Sequence, residues 1–160
     1  MLNLARPGQY LTFFIDHEIF ALSVDQIREI TKIPVITKVP NLPDFVVGVF
    51  NLRGSVVPTL DLRMKLKKKP LEDGSLRTVI VLQGAKGLVG CIVDSVSDVI
   101  ILTDKEITPA PRFVNKMTKQ FVLGIGNKKD ALIMLVDILA DVADSLILDT
   151  SPAEARPKAA

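Results

Sequence analysis

Apolar residues in this chain fall in short runs, each closed by a polar pair, a glycine or an asparagine. Runs of that length, rich in β-branched residues, predict strands rather than helices. Residues 10–15 and 77–82 open two such series, and the polar segments 16–18 and 83–87 turn each back into the next run. Residues 24–28 and 93–97 place apolar side chains three apart, which predicts a single helical turn in each. Asn51 with Gly54, and Asn127 with Asp130, stand between two apolar runs. That is hairpin chemistry, because Asn, Gly and Asp tolerate a positive φ. Pro58, inside the run 56–60, predicts an edge position or a bulge, since proline donates nothing to a ladder. Residues 67–76 (KKKPLEDGSL) read as a surface loop. An amphipathic helix is predicted over 137–148, with apolar residues at 138, 139, 142 and 146. Residues 150–160, with two prolines among Ala, Glu, Arg and Lys, read as a disordered tail.

The pattern occurs twice. Sliding residues 45–62 by 76 positions lays them without gaps on residues 121–138. Five of those 18 pairs are identical (Phe45/Phe121, Val46/Val122, Gly48/Gly124, Asn51/Asn127, Asp61/Asp137), against about one expected from average composition. An offset of 69 joins residues 19–30 to 88–99 and superposes Val24-Asp25 on Val93-Asp94. Both matches run in the same order, so the whole unit is duplicated. About five short strands per copy make no stable flat sheet, and closing each set into a barrel removes its edges. The expectation is a mainly all-β chain of two small barrels about a pseudo-twofold, followed by a C-terminal helix. The first barrel is placed at about 10–66 and the second at about 77–139, within one domain spanning 1–149.

Composition narrows the function. The chain has 160 residues, one Cys, one His and a net charge of +2, which excludes Cys/His metal cages and gives no drive toward nucleic acid or anionic membrane. No apolar run approaches a membrane span and residues 1–10 hold no signal-peptide core, so a cytoplasmic setting without direct membrane insertion is expected. His17 reads as an exposed turn residue. Cys91 aligns with Leu22 and reads as core. Asp25, Asp94, Asp61 and Asp137 recur at matching positions and read as helix or turn caps rather than a catalytic pair. No phosphate-cradling glycine pattern is present. No catalytic residue, metal site or cofactor is predicted. Lys65, Lys67, Lys68 and Lys69 form the strongest charge run, and a small barrel binding nucleic acid through them is the alternative reading. Phe13, Phe14, Phe20, Phe45 and Phe121 all sit in apolar runs and at least half are needed for the core, which argues against it. The copies differ informatively at the hairpin turn, Leu52-Arg53-Gly54 in one and Lys128-Lys129-Asp130 in the other. Arg53 suits a protein interface, and equally a brace pairing with an internal carboxylate between the barrels.

Residues 51–63, NLRGSVVPTLDLR, resemble the signature of the CheW family of bacterial chemotaxis coupling proteins. The stretches FALSVDQIREI, VGCIVDSVSDVI and the IxPAP-like residues 107–111 agree, and the resemblance covers roughly 9–148. It implies two five-stranded SH3-like barrels and a non-catalytic adaptor. Such an adaptor joins the cytoplasmic tip of methyl-accepting chemoreceptors to the regulatory domain of the histidine kinase CheA, in rings that include other CheW-like proteins. By motif position it implies a kinase face at Leu11, Val24, Ile27 and Glu29. It implies a receptor face at Gly48, Asn51, Arg53 and Gly54. A second ring contact would fall at Val93, Val96 and Val99. An adaptor of a type IV pilus pathway remains open beside a flagellar one.

Overall fold

A computed structural model describes residues 5–71, 76–110 and 121–143. Within them the first copy forms β1 (Gly8–Ile15), β2 (Glu18–Ser23), a 3-10 turn (Val24–Gln26), β3 (Ile27–Lys32), β4 (Val46–Leu52), β5 (Ser55–Asp61) and α1 (Leu62–Lys65). The second forms β6 (Thr78–Gly84), β7 (Gly87–Val93), β8 (Ser95–Leu102), a 3-10 turn (Asp104–Glu106), β9 (Ile107–Pro109), β10 (Val122–Lys128), β11 (Ala131–Val136) and α2 (Ile138–Ala143). The predicted helix beyond 143, the tail at 150–160 and Pro111 of the motif lie outside the described residues.

The strands pair in two sheets, β8-β1-β2-β11-β10-β9 and β3-β6-β7-β5-β4. Neither follows the boundaries 10–66 and 77–139 that the repeat suggested. Each copy gives its first hairpin to the other copy's sheet: β1 pairs with β8, and β6 with β3. The exchange is sealed by two parallel pairs, β11 on β2 and β5 on β7. Periodicity predicts strands and hairpins but not which strand lies beside which, so an exchange between two equivalent units leaves no trace in it.

Both sheets curl. β8 and β9 are opposite edges of a six-stranded sheet, about 24 Å apart if it were flat. Yet Leu102 and Ile107 are joined by a short link that spans at most about 18 Å. The chain itself therefore draws the edges together into a barrel. In the other sheet the same task falls to a single bridge, Thr37 with Val49. Val49 is the repeat partner of Ile125, which pairs with Thr108 of β9. The sixth strand is thus this rim bridge extended to three residues, and the underlying barrels have the five strands expected.

Two local expectations are revised. Val24–Gln26 is the predicted helical turn, but residues 93–97 are not helical: Asp94 is a single bend, and β8 is already paired with β1 at Ser95. Ladder pairing outweighs the three-residue spacing there. Pro58 lies in an interior strand, yet β5 meets β7 only from Thr59 onward, so at Pro58 it has one neighbour, β4.

Three apolar clusters fill the molecule. Tyr10, Ala21, Leu102, Ile133 and Leu135 fill one barrel, and Phe50, Val57, Val79, Val81 and Ile92 fill the other. Between them lies a larger shared cluster that includes Phe13, Phe20, Leu22, Leu60, Ile80, Leu82, Cys91 and Val93. The exchanged hairpins β1–β2 and β6–β7 are sandwiched between a barrel interior and this shared core.

Candidate partner-binding faces

The β4–β5 hairpin closes through Arg53 and Gly54, with φ of 51° and 90°, a two-residue turn with both centres left-handed. Asn51 holds it, its Oδ1 accepting the Gly54 N–H at 2.8 Å. Arg53 then reaches across to β3, donating from Nη1 and Nη2 to the two Glu29 carboxylate oxygens at 2.6 and 3.4 Å. The guanidinium is 77% exposed, so the pair contributes little to stability, about 0–1 kcal/mol, and works mainly by orienting Arg53. Both partners belong to one barrel. The brace between barrels left open by the sequence is therefore not Arg53. In the second copy Lys128, the partner of Leu52, is tied to its own barrel instead. Its Nζ donates to the Ile101 carbonyl at 2.7 Å and sits 3.4 Å from Glu106. The Thr103 N–H and hydroxyl, together with that lysine, hold the Glu106 carboxyl below its usual range.

Of the residues assigned to the kinase face, Val24 and Ile27 are half-buried on and just after the 3-10 turn, and Glu29 is half-buried on β3. Leu11 is buried in the shared core. Of those assigned to the receptor face, Asn51, Arg53 and Gly54 are exposed together at the hairpin tip, whereas Gly48 is buried. A Cβ on Gly48 would collide with the Thr37 carbonyl, so this glycine exists for the rim bridge. Gly124 meets the Thr108 carbonyl in the same way, at 2.7 Å, which explains why the duplication keeps both. In the third group Val93 is buried, Val96 packs against the shared core, and Val99 is 55% exposed.

Sequence reasoning missed the remaining exposed apolar residues on these faces. Val99 has a counterpart in Ile30, and Val56 in Leu132, by the repeat offsets; all four are exposed, as is Ile101. The available signal was Ile30, set between Arg28 and Lys32 on the outward side of β3. Each barrel thus carries apolar side chains to solvent at equivalent places.

His17 is exposed in the β1–β2 turn. Cys91 is fully buried, and burial with the nearby Asp61 charge pushes its thiol far up, so it stays protonated. Asp61 and Asp137 cap α1 and α2 as expected, accepting backbone N–H groups of Arg63 and Ala140. Asp25 is exposed without a cap bond, and Asp94 is ion-paired rather than capping a helix. Among the described residues no acidic, His or Cys cluster could hold a metal, and no helix is long and apolar enough to cross a membrane. Lys65 lies over the Phe45 ring at 4.1 Å and Lys68 pairs with Glu18 at 2.9 Å.

Paired barrels that carry exposed apolar residues at equivalent places are the architecture of a scaffold, and the family below is a non-catalytic one. A family model of the CheW-like domain matches residues 9–144, and the chain belongs to the CheW family of chemotaxis scaffold proteins. It is 36% identical over 130 residues to the chemotaxis protein CheW of Klebsiella aerogenes, covering 81% of this chain and 78% of that one. The chemotaxis protein CheW of Bacillus subtilis is 33% identical over 127 residues, covering 79% and 81%. Among solved structures, the scaffolding protein TtCheW of Thermoanaerobacter tengcongensis matches with a TM-score of 0.76 and 29% identity, covering 82% of this chain and 90% of that one.

Proposed function

We propose that this chain couples chemoreceptors to the histidine kinase CheA, binding the kinase regulatory domain through the face around Val24, Ile27 and Glu29 and the receptor tip through the Asn51–Arg53–Gly54 hairpin. The observation that carries this reading is the Arg53–Glu29 pair, which joins a residue of one assigned face to a residue of the other. A partner that recruits either side chain disturbs the other, so two binding events on one small barrel are physically linked. Leu11, Gly48 and Val93 support these faces from inside rather than touching a partner, and Val99 is the member of the third group with surface to offer a neighbouring ring subunit.

The apolar part of the kinase contact rests on Val24 and Ile27. A charge placed at a desolvated apolar contact costs several kcal/mol unless it is paired. Val24→Glu is expected to weaken binding to the purified kinase regulatory domain at least about a hundredfold by titration calorimetry. Its thermal melt should stay cooperative and near that of the parent. Retained affinity in the folded variant would remove Val24 from the contact.

A further inference from the structure

The barrels meet at two joints that are equivalent in the duplication and opposite in chemistry. In each, the helical segment after a barrel's last strand docks on the hairpin tip that the other sheet received. At one joint Leu139 of α2 lies against Gly84 at the tip of β6–β7, where a Cβ would sit 3.4 Å from its Cδ2. Leu139 also packs against the shared core. At the other joint the repeat partner of Leu139 is Arg63, and the partner of the β6–β7 turn is Asp16-His17. Arg63 is 4% exposed. Its Nη1 lies 2.6 Å from Asp16 and 2.5 Å from Asp94, while Nε and Nη2 donate to the Lys69 carbonyl at 2.9 and 2.6 Å. Asp94 accepts the Asp16 N–H at 2.7 Å, and its own N–H donates to the Phe14 carbonyl at 3.1 Å. Behind it Arg77 holds Asp61 through two bonds of 2.8 Å.

We propose that the Arg63 joint is a latch that opens while the Leu139 joint stays shut, letting the barrels swing about the apolar joint. Pulling Leu139 from the core exposes apolar surface with nothing gained in return. Opening the ionic contact returns buried charges to water, which offsets much of the lost attraction, so such pairs lie close to break-even. Leu62 and Leu66 beside it stay in the shared core, and the half-exposed Lys68–Glu18 pair adds little. Two further features lower the cost. Arg77 Nε and Asp94 Oδ1 are buried, 3.9 Å apart and without hydrogen-bond partners, so opening lets both find one in solvent. Asp16 is already 37% exposed, so water has a way in. Arg63 keeps its charge throughout: burial alone would lower its pKa, and bonding to Asp16 and Asp94 raises it overall. The latch sets the position of the Arg53 hairpin in one sheet relative to the Val99 strand in the other, and it stands whether or not the proposed coupling role does.

Hydrogen exchange by mass spectrometry on the full chain tests it. Asp16→Asn removes one of the carboxylates that tie Arg63 to the other sheet and leaves the Asp94 and Lys68–Glu18 pairs in place. It is expected to speed exchange at residues 16–19 and 94–97 by at least about tenfold, leaving β4, β5, β10 and β11 unchanged. Leu139→Ala should instead speed exchange across the shared core of both barrels. Nitroxides on Ser55→Cys and Ser97→Cys, with Cys91→Ala, should report a broader distance distribution once Asp16→Asn is added. Unchanged exchange in Asp16→Asn would overturn the latch, and so would acceleration spread evenly over both sheets.

Discussion

Gly48 and Arg53 stand five residues apart, both left-handed in backbone, and for unrelated reasons. Gly48, at φ 147°, lets the rim strand pass at a distance no side chain permits. Arg53, at φ 51°, accepts a conformation that disfavours its Cβ in order to finish a hairpin turn. The first is a constraint of closing the barrel, the second a cost accepted at the tip. Gly48→Ala is therefore expected to lower unfolding free energy by about 2–4 kcal/mol, because both the φ and the Thr37 carbonyl oppose a methyl group. Urea melts would read this, and a loss under about 0.5 kcal/mol would mean the rim bridge gives way freely. Burial also sorted residues that motif position had grouped. Leu11 shares its assigned face with half-buried residues and Val93 with the exposed Val99, but alternation could not reveal their burial because β1 and β7 are covered on both sides.

Among elements, the two kinds of strand differ visibly. β4 and β10 alternate buried and half-buried residues, as one-sided strands do, while β1, β2, β6 and β7 carry continuous buried runs. Those runs belong to the hairpins exchanged between copies, and β5, which pairs with the exchanged β7, carries one too. Within the otherwise matching β4–β5 hairpin the copies part at the turn, and its geometry favours Asn-Gly over Arg-Gly. Arg53→Asn exchanges a weak exposed ion pair for a better turn residue. Stability should stay within about 1 kcal/mol of the parent. If the hairpin serves the receptor, receptor control of kinase activity in reconstituted arrays should fall in the same variant. Full control with unchanged stability would leave Arg53 without a role at that face.

At the scale of the molecule, the exchange makes the copies interdependent. Residues 1–71 hold β1 to β5, but β1 and β2 need β8 and β11, and β3 and β5 need β6 and β7. A fragment ending at 71 and another starting at 76 are each expected to lack a cooperative thermal transition. Mixed at equal concentration, they should recover one, followed by circular dichroism. A fragment that folded alone with a sharp melt would mean the hairpins can close back onto their own copy. The stretch between them, residues 72–75, lies in the segment that sequence reads as a surface loop, so the cut spares every described ladder.

Sequence alone determined most of the strands, the hairpin turns, the duplication and the family, because each is written in local patterns: run length, turn chemistry and residues shared at a fixed offset. It also identified the Arg53 turn as the place where the two copies part. Tertiary structure decided which copy each strand joined, that Arg53 braces one barrel while Arg63 ties the two together, and which motif residues reach the surface. Those outcomes depend on pairing between segments far apart in the chain. Two nearly identical units offer near-equivalent partners for every strand, and only closure of both barrels around one shared core selects among them.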